Sequence, residues 1–218
     1  MGYSLNFNPI WENWDKLLLG LGLGLLITVI SLFVGAIIGL LAAFARTSGN
    51  PTISRVAAGY VEIMRNVPFL LVIFFVYFGF PTLVPDQTSS LIVAMAIYSG
   101  AYMTEIFRAG ILAVSKGFLE AGKSIGLTNW QVIRFVTLPI MFRVVLPSLS
   151  NTLIGLFKDT SLGAAISVPE LTYQGMVINT NYWRIIESWT AVGALYLATC
   201  YSLAFLLRRI EHRFAQWA

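Results

Sequence analysis

Apolar residues along this chain do not alternate with polar ones; they come in long runs separated by short polar stretches. The runs span Leu17 to Ala45, about Tyr60 to Phe80, Leu91 to Val114, about Ile133 to Phe157, and Trp189 to Leu207. A hydrocarbon core about 30 Å thick needs roughly 20 apolar residues at about 1.5 Å of helix rise each. The pattern therefore predicts about five membrane-spanning helices, an all-α integral membrane fold, and one permease-like domain over residues 1–218. An odd number of spans places the two termini on opposite sides of the bilayer.

Composition agrees with this pattern. Hydrophobic residues make up 57% of the 218 positions and charged residues 11%, and the mean hydropathy is +0.77, values that exclude an ordinary soluble domain. The first apolar run is too long for a signal-peptide core and reads as a retained span. Cys200 is the single cysteine, so no disulfide forms within the chain; inside the last span it reads as packing.

Charge orients the chain. Arg46, Arg55 and Arg65 lie between the first two runs, Arg108, Lys116, Lys123, Arg134 and Arg143 flank the third and fourth, and Arg208, Arg209 and Arg213 follow the fifth. Only Lys16, Lys158 and Arg184 lie elsewhere. Cytoplasmic loops carry the excess of Lys and Arg, so an outside N-terminus and a cytoplasmic C-terminus are expected. The net charge of +4 is spread over these loops, which argues against a nucleic-acid partner. Trp11, Trp14, Trp183 and Trp189 fall beside span ends on the outer side, where indole rings favour the headgroup region. His212 lies in a basic tail and is assigned no role, and Gly35 and Gly39 form a small-xxx-small pair that lets helices approach closely, within the subunit or across a dimer.

The polar stretch Ser115 to Arg134 carries helix punctuation. Glu120 to Ile125 reads as a short helix stopped by Gly126; Thr128 then offers an N-cap and Gln131 completes a capping box. A helix, turn and helix on the cytoplasmic face is a docking surface for a soluble partner. Within it, Gly117 to Ser124 (GFLEAGKS) satisfies the Walker A pattern and taken literally would make the chain a nucleotide-binding enzyme. That chemistry needs a strand before the loop and a sheet around it, which the pattern does not supply, so nucleotide hydrolysis is expected on a separate chain.

Glu120 to Pro139 (EAGKSIGLTNWQVIRFVTLP) resembles the EAA signature of ABC importer permeases, with Gly122 in place of the second Ala and Val136 in place of Ile. The segments VEIMRNVPFLLVIFFVYFGFP from Val61, YMTEIFRAGI from Tyr102 and KDTSLGAAISVPEL from Lys158 are similar to polar amino acid permeases of the histidine and glutamine uptake type. The resemblance implies a type I importer fold in the bacterial cytoplasmic membrane that works by alternating access and catalyses no bond change. It implies as partners two ATPase subunits, a second permease identical or homologous to this one, and an extracytoplasmic amino acid binding protein. ATP and Mg would sit on the ATPase, with no cofactor on this chain. It also implies that Glu120, Ala121, Gly122 and Gly126 form the element that couples to the ATPase.

Ionisable residues at membrane depth are rare and mark substrate pathways. Glu105 in the third run lies eleven residues before Lys116, and Lys158, beside Asp159 at the end of the fourth, lies eleven after Pro147, each about 16 Å of helix from the inner side. Two carboxylates there suit a substrate bearing an ammonium or guanidinium group. Tyr98 and Tyr102 share a helical face with Glu105, and Ser161 adds a hydroxyl. The structural alternative is that Glu105 pairs with Arg108 at i+3 and Asp159 with Lys158 or a neighbouring helix. The rival functions are a secondary transporter or channel that needs no ATPase, and the nucleotide-binding enzyme.

Overall fold

The computed structural model describes residues 3–215, with side chains as far as Arg213, and among these every regular element is helical. A short helix α1 (Asn8–Glu12) precedes α2 (Trp14–Thr47), a 34-residue helix that begins before and ends after the expected first run. Much of α2 is apolar yet open on one side: Leu19, Leu26, Phe33 and Leu41 are exposed, as they are when lipid is the solvent.

The opposite side of α2 packs on α5 (Gln87–Leu112), the most enclosed long helix. Small residues make this contact close. A methyl on Gly35 would lie 2.2 Å from Ser99 Oγ, and one on Gly39 2.6 Å from Met103 Cβ. The pair that the sequence left open between two uses therefore packs within the subunit, in the manner of small-residue interfaces between membrane helices. Ser31 Oγ adds a hydrogen bond to the Ile92 carbonyl at 3.3 Å.

The expected second span is corrected. Residues 60–80 are not one helix: α3 (Pro51–Asn66) and α4 (Phe69–Gly79) meet at 106°. Val67 precedes Pro68 and takes an extended conformation (φ −101°, ψ 133°), because the proline ring disfavours a helical residue before it. Asn50 caps α3 by accepting from the Thr52 and Ile53 amides. Ala57 and Val61 are buried, whereas Arg55, Glu62 and Arg65 are exposed, and Tyr60 donates to the Ile97 carbonyl at 2.6 Å. Among the described residues, four helices are long and apolar enough to span, and the bent pair makes a fifth if counted as one span.

After α5 come α6 (Lys116–Ser124) and α7 (Asn129–Val132), joined by Gly126 at φ +87°. A π-helical turn (Ile133–Thr137) leads into α8 (Leu138–Asp159), and a 3-10 turn (Thr160–Ile166) follows. The π turn sits where Pro139 enters α8; proline lacks the amide a regular helix would use there. A further helix α9 (Leu171–Tyr182), not expected from the apolar runs, precedes the last span α10 (Ile185–Ala215).

Glu170 anchors α9. Its fully buried carboxylate accepts from the Thr172 and Tyr173 amides at 2.9 and 2.8 Å and from the Tyr196 hydroxyl of α10 at 2.9 Å. At the same end, Glu187 of α10 accepts from the Asn6 amide at 2.8 Å and from the Tyr3 hydroxyl, and Arg184 donates to the Ser4 carbonyl. The starts of α2 and α10 thus lie at one end of the bundle.

Candidate functional site

The α6 to α7 unit follows the punctuation read from the sequence. Thr128 Oγ1 accepts from the Gln131 amide and Gln131 Oε1 accepts from the Thr128 amide at 2.8 Å, completing the capping box. Glu120 and Ala121 are exposed, while Gly122 is buried against Val132, Val136 and Leu127 of the following turns. A methyl on Gly122 would stand 3.4 to 3.6 Å from those side chains, ordinary contact distances, so the position accepts the Ala of the EAA pattern. Gly126 has open space around it; its positive φ is what favours glycine there. Phe118, Ile125 and Trp130 are largely exposed on the same unit.

The Walker-like segment Gly117 to Ser124 lies within α6. Its later amides are held in helical hydrogen bonds, so they do not form the loop that cradles phosphates.

Between α5 and α8 lies a cavity of about 250 Å³, lined by Tyr98, Ser99 and Tyr102 from α5 and by Thr152, Gly155, Leu156 and Asp159 from α8. The two tyrosine hydroxyls stand 3.1 Å apart, and the Tyr98 ring packs on Phe69 of α4 at 4.6 Å between centroids. Asp159 has no hydrogen-bond or ion-pair partner among the described residues. An unpaired carboxylate beside two hydroxyls and the rings that carry them can hold a primary ammonium by charge-assisted hydrogen bonds.

The structure brings Tyr98, Tyr102 and Asp159 together and sets Glu105 and Ser161 apart. Ser161 lies in the 3-10 turn and does not line the cavity. Glu105 lies further along α5 and accepts from Arg108 Nε and Nη2 at 3.0 and 2.7 Å, while Arg46 Nη1 stands 3.1 Å from its other oxygen. A carboxylate between two guanidiniums is neutralised in place, as the i+3 pairing had allowed. Thr152 and Gly155 went unnoticed in the sequence, although each shares a face of α8 with Asp159, at i−7 and i−4, the spacing that places residues together on a helix.

A second cavity of about 320 Å³ is lined by Arg46 of α2, Val61, Glu62, Arg65 and Asn66 of α3, and Glu105 of α5. The Arg65 guanidinium carbon stands 5.5 Å from the centroid of the Tyr102 ring, so the two cavities share that stacked pair. Sequence reading treated Arg46 and Arg65 as topology markers and passed over Glu62, because the order of residues does not show that α2 and α3 bring them beside Glu105 of α5.

A largely apolar helical bundle with a cavity between two spans that carries a few polar side chains is the architecture of a membrane permease. Residues 35–216 match the family of binding-protein-dependent transport system inner membrane components. The chain belongs to that family and is a multi-pass protein of the inner membrane. It is 41% identical over 214 residues to the glutamine transport system permease protein GlnP of Escherichia coli (strain K12), covering 96% of this chain and 98% of that protein. It is 35% identical over 217 residues to the L-cystine transport system permease protein TcyB of Bacillus subtilis (strain 168), covering 98% and 93%. Its fold matches the crystal structure of an amino acid ABC transporter with histidines at a TM-score of 0.87 and 29% identity, covering 97% of this chain and 100% of that one. The inward-facing methionine transporter MetNI shares the fold at a TM-score of 0.81, 22% identity, and coverage of 93% and 98%.

Proposed function

We propose that this chain is the permease subunit of an ATP-driven importer of amino acids, carrying them by alternating access between outward and inward openings. Two ATPase subunits holding ATP and Mg drive it, a second permease completes the pathway, and an extracytoplasmic binding protein delivers the substrate. The N-terminus faces outward and the α6 to α7 unit faces the cytoplasm, in keeping with the eleven Lys and Arg that cluster on that side.

The observation that carries this reading is α6 itself: a short helix outside the spans with Glu120 and Ala121 exposed and Gly122 seated on the turns that run into α8. A push on α6 reaches Val132 and Val136 directly, and through the continuous α7 to α8 rod it reaches Thr152 and Asp159 in the cavity. The geometry favours a substrate with one ammonium and a neutral side chain, since Asp159 is unpaired whereas Glu105 is held by Arg46 and Arg108. Glutamine, the substrate in the name of the Escherichia coli relative, has that chemistry.

The test is reconstitution in proteoliposomes with the partner ATPase and binding protein. The complete assembly accumulates glutamine on ATP addition, and the permease alone does not. Glu120→Lys keeps membrane insertion but cuts uptake at least tenfold per ATP hydrolysed; unchanged coupling removes the role of α6. Accumulation by the chain alone under an ion gradient would establish a secondary transporter instead.

A further inference from the structure

The second cavity is absorbed neither by the coupling role of α6 nor by the Tyr98, Tyr102 and Asp159 pocket. Its lining carries two guanidiniums, Arg46 and Arg65, and two carboxylates, Glu62 and Glu105, the second of which is also held by Arg108. Only part of this set is internally satisfied. Arg46 and Glu105 form an ion pair, and Glu105 Oε1 is enclosed yet receives no hydrogen bond. Glu62 and Arg65, one turn apart on α3, form no ion pair with each other or with any other described residue. Arg65 rests on the Tyr102 ring, and the Asn66 amide group is turned back to the Glu62 carbonyl. An open carboxylate and an open guanidinium on one wall of a cavity of about 320 Å³ match the ammonium and carboxylate of an α-amino acid, each with a charge-assisted bond to make.

Position supports the same occupant. From Tyr98 to Glu105 is seven residues of α5, about 10 Å, in the direction of α6. A solute leaving the first pocket toward that end meets the Arg65 and Tyr102 stack and, past it, the charged cavity.

We propose that the Arg46, Glu62, Arg65 and Glu105 cavity is a second amino acid subsite, holding the zwitterionic head group after the Tyr98, Tyr102 and Asp159 pocket releases it. Arg65 takes the carboxylate, Glu62 takes the ammonium, and the Arg65 and Tyr102 stack divides the two subsites. The inference rests on the amino acid reading above but is separable from it.

The experiment is equilibrium binding of radiolabelled L-glutamine to the complete solubilised transporter, permease with ATPase, alongside uptake in proteoliposomes. The wild type shows two classes of site for each permease chain. Arg65→Gln and Glu62→Gln each weaken one class at least tenfold and spare the other, whose survival reports correct folding; Arg65→Lys retains most of the affinity. Asp159→Asn removes the opposite class. A single class in the wild type, or two classes that both survive the Glu62→Gln and Arg65→Gln changes made together, overturns the second subsite while the transport reading stands. A wild-type assembly that neither binds nor accumulates amino acid overturns both.

Discussion

At the scale of single residues, two glycines of the α6 to α7 unit make opposite demands. Gly122 has helical backbone and room for a methyl against Val132, Val136 and Leu127. Gly122→Ala therefore removes backbone freedom from a helix at no steric cost and stabilises by about 0.5 to 1 kcal/mol, with coupling retained. Gly126→Ala places a side chain at φ +87° and destabilises by roughly 1 kcal/mol although nothing lies nearby to clash. Thermal unfolding of both variants in detergent, read against wild type, checks the difference in sign. Asp86, outside the spans, caps α5 by accepting from the Ser89 amide at 2.9 Å; the Ser89 side chain and amide hold its carboxyl below the usual carboxylate range. A depressed folded value means the contribution is present above the ordinary value of about 4 and disappears as pH falls through the folded one. Asp86→Asn, which still caps, flattens the stability profile as pH falls below the ordinary carboxylate value of about 4, and an unchanged profile would remove Asp86 from the acid response.

At the scale of elements, the molecule is organised around the α2 and α5 contact, which brings α3 with Glu62 and Arg65 beside Glu105. Gly35→Val forces a side chain where a single methyl would already stand 2.2 Å from Ser99 Oγ and 3.1 Å from the Ala96 carbonyl. Backbone cannot yield as a flexible side chain does, so α2 must separate from α5. The expected result is loss of most folded protein at expression level; Gly22→Val on the same helix, with nothing within 4 Å, is tolerated. The same face of α2 carries Gly24, whose added methyl would meet Thr160 Oγ1 at 3.3 Å, so the contact also fixes the end of α8 where Asp159 sits.

At the scale of the whole molecule, the start of the chain is fastened to the start of the last helix at one end of the bundle. Glu187, fully buried, ties Tyr3 and Asn6 to α10 and lies 3.6 Å from Arg184, which in turn holds the Ser4 carbonyl. Glu187→Ala removes the acceptor that Tyr3, Asn6 and Arg184 share, and with it the side-chain tie between the start of the chain and α10. Residues 3–13 then become cleavable by protease added to proteoliposomes from the outer side, while α2 to α10 stay protected; continued protection of that segment would show that α1 is held by its apolar contacts alone. The broad exposed apolar surface of α2, α4 and α10 is what a membrane-embedded chain presents to lipid.

Much of this was legible in order of residues. Long apolar runs specify spanning helices because lipid satisfies no backbone group, and Gly126, Thr128 and Gln131 specify the α6 to α7 turn because their requirements are local. The proline at position 68 was in plain view, yet an apolar run on both sides hid the bend, since hydropathy carries no direction. α9 was missed for the converse reason: it is too short and too polar to register as a run, and it is secured by a buried Glu170 whose partners include Tyr196, distant in sequence. Sequence order alone determined a membrane protein with a punctuated soluble turn. Only tertiary structure decided which carboxylate is paired, because charge pairing depends on what other helices bring within about 4 Å: Arg46 reaches Glu105 across helices, and no described residue forms an ion pair with Asp159.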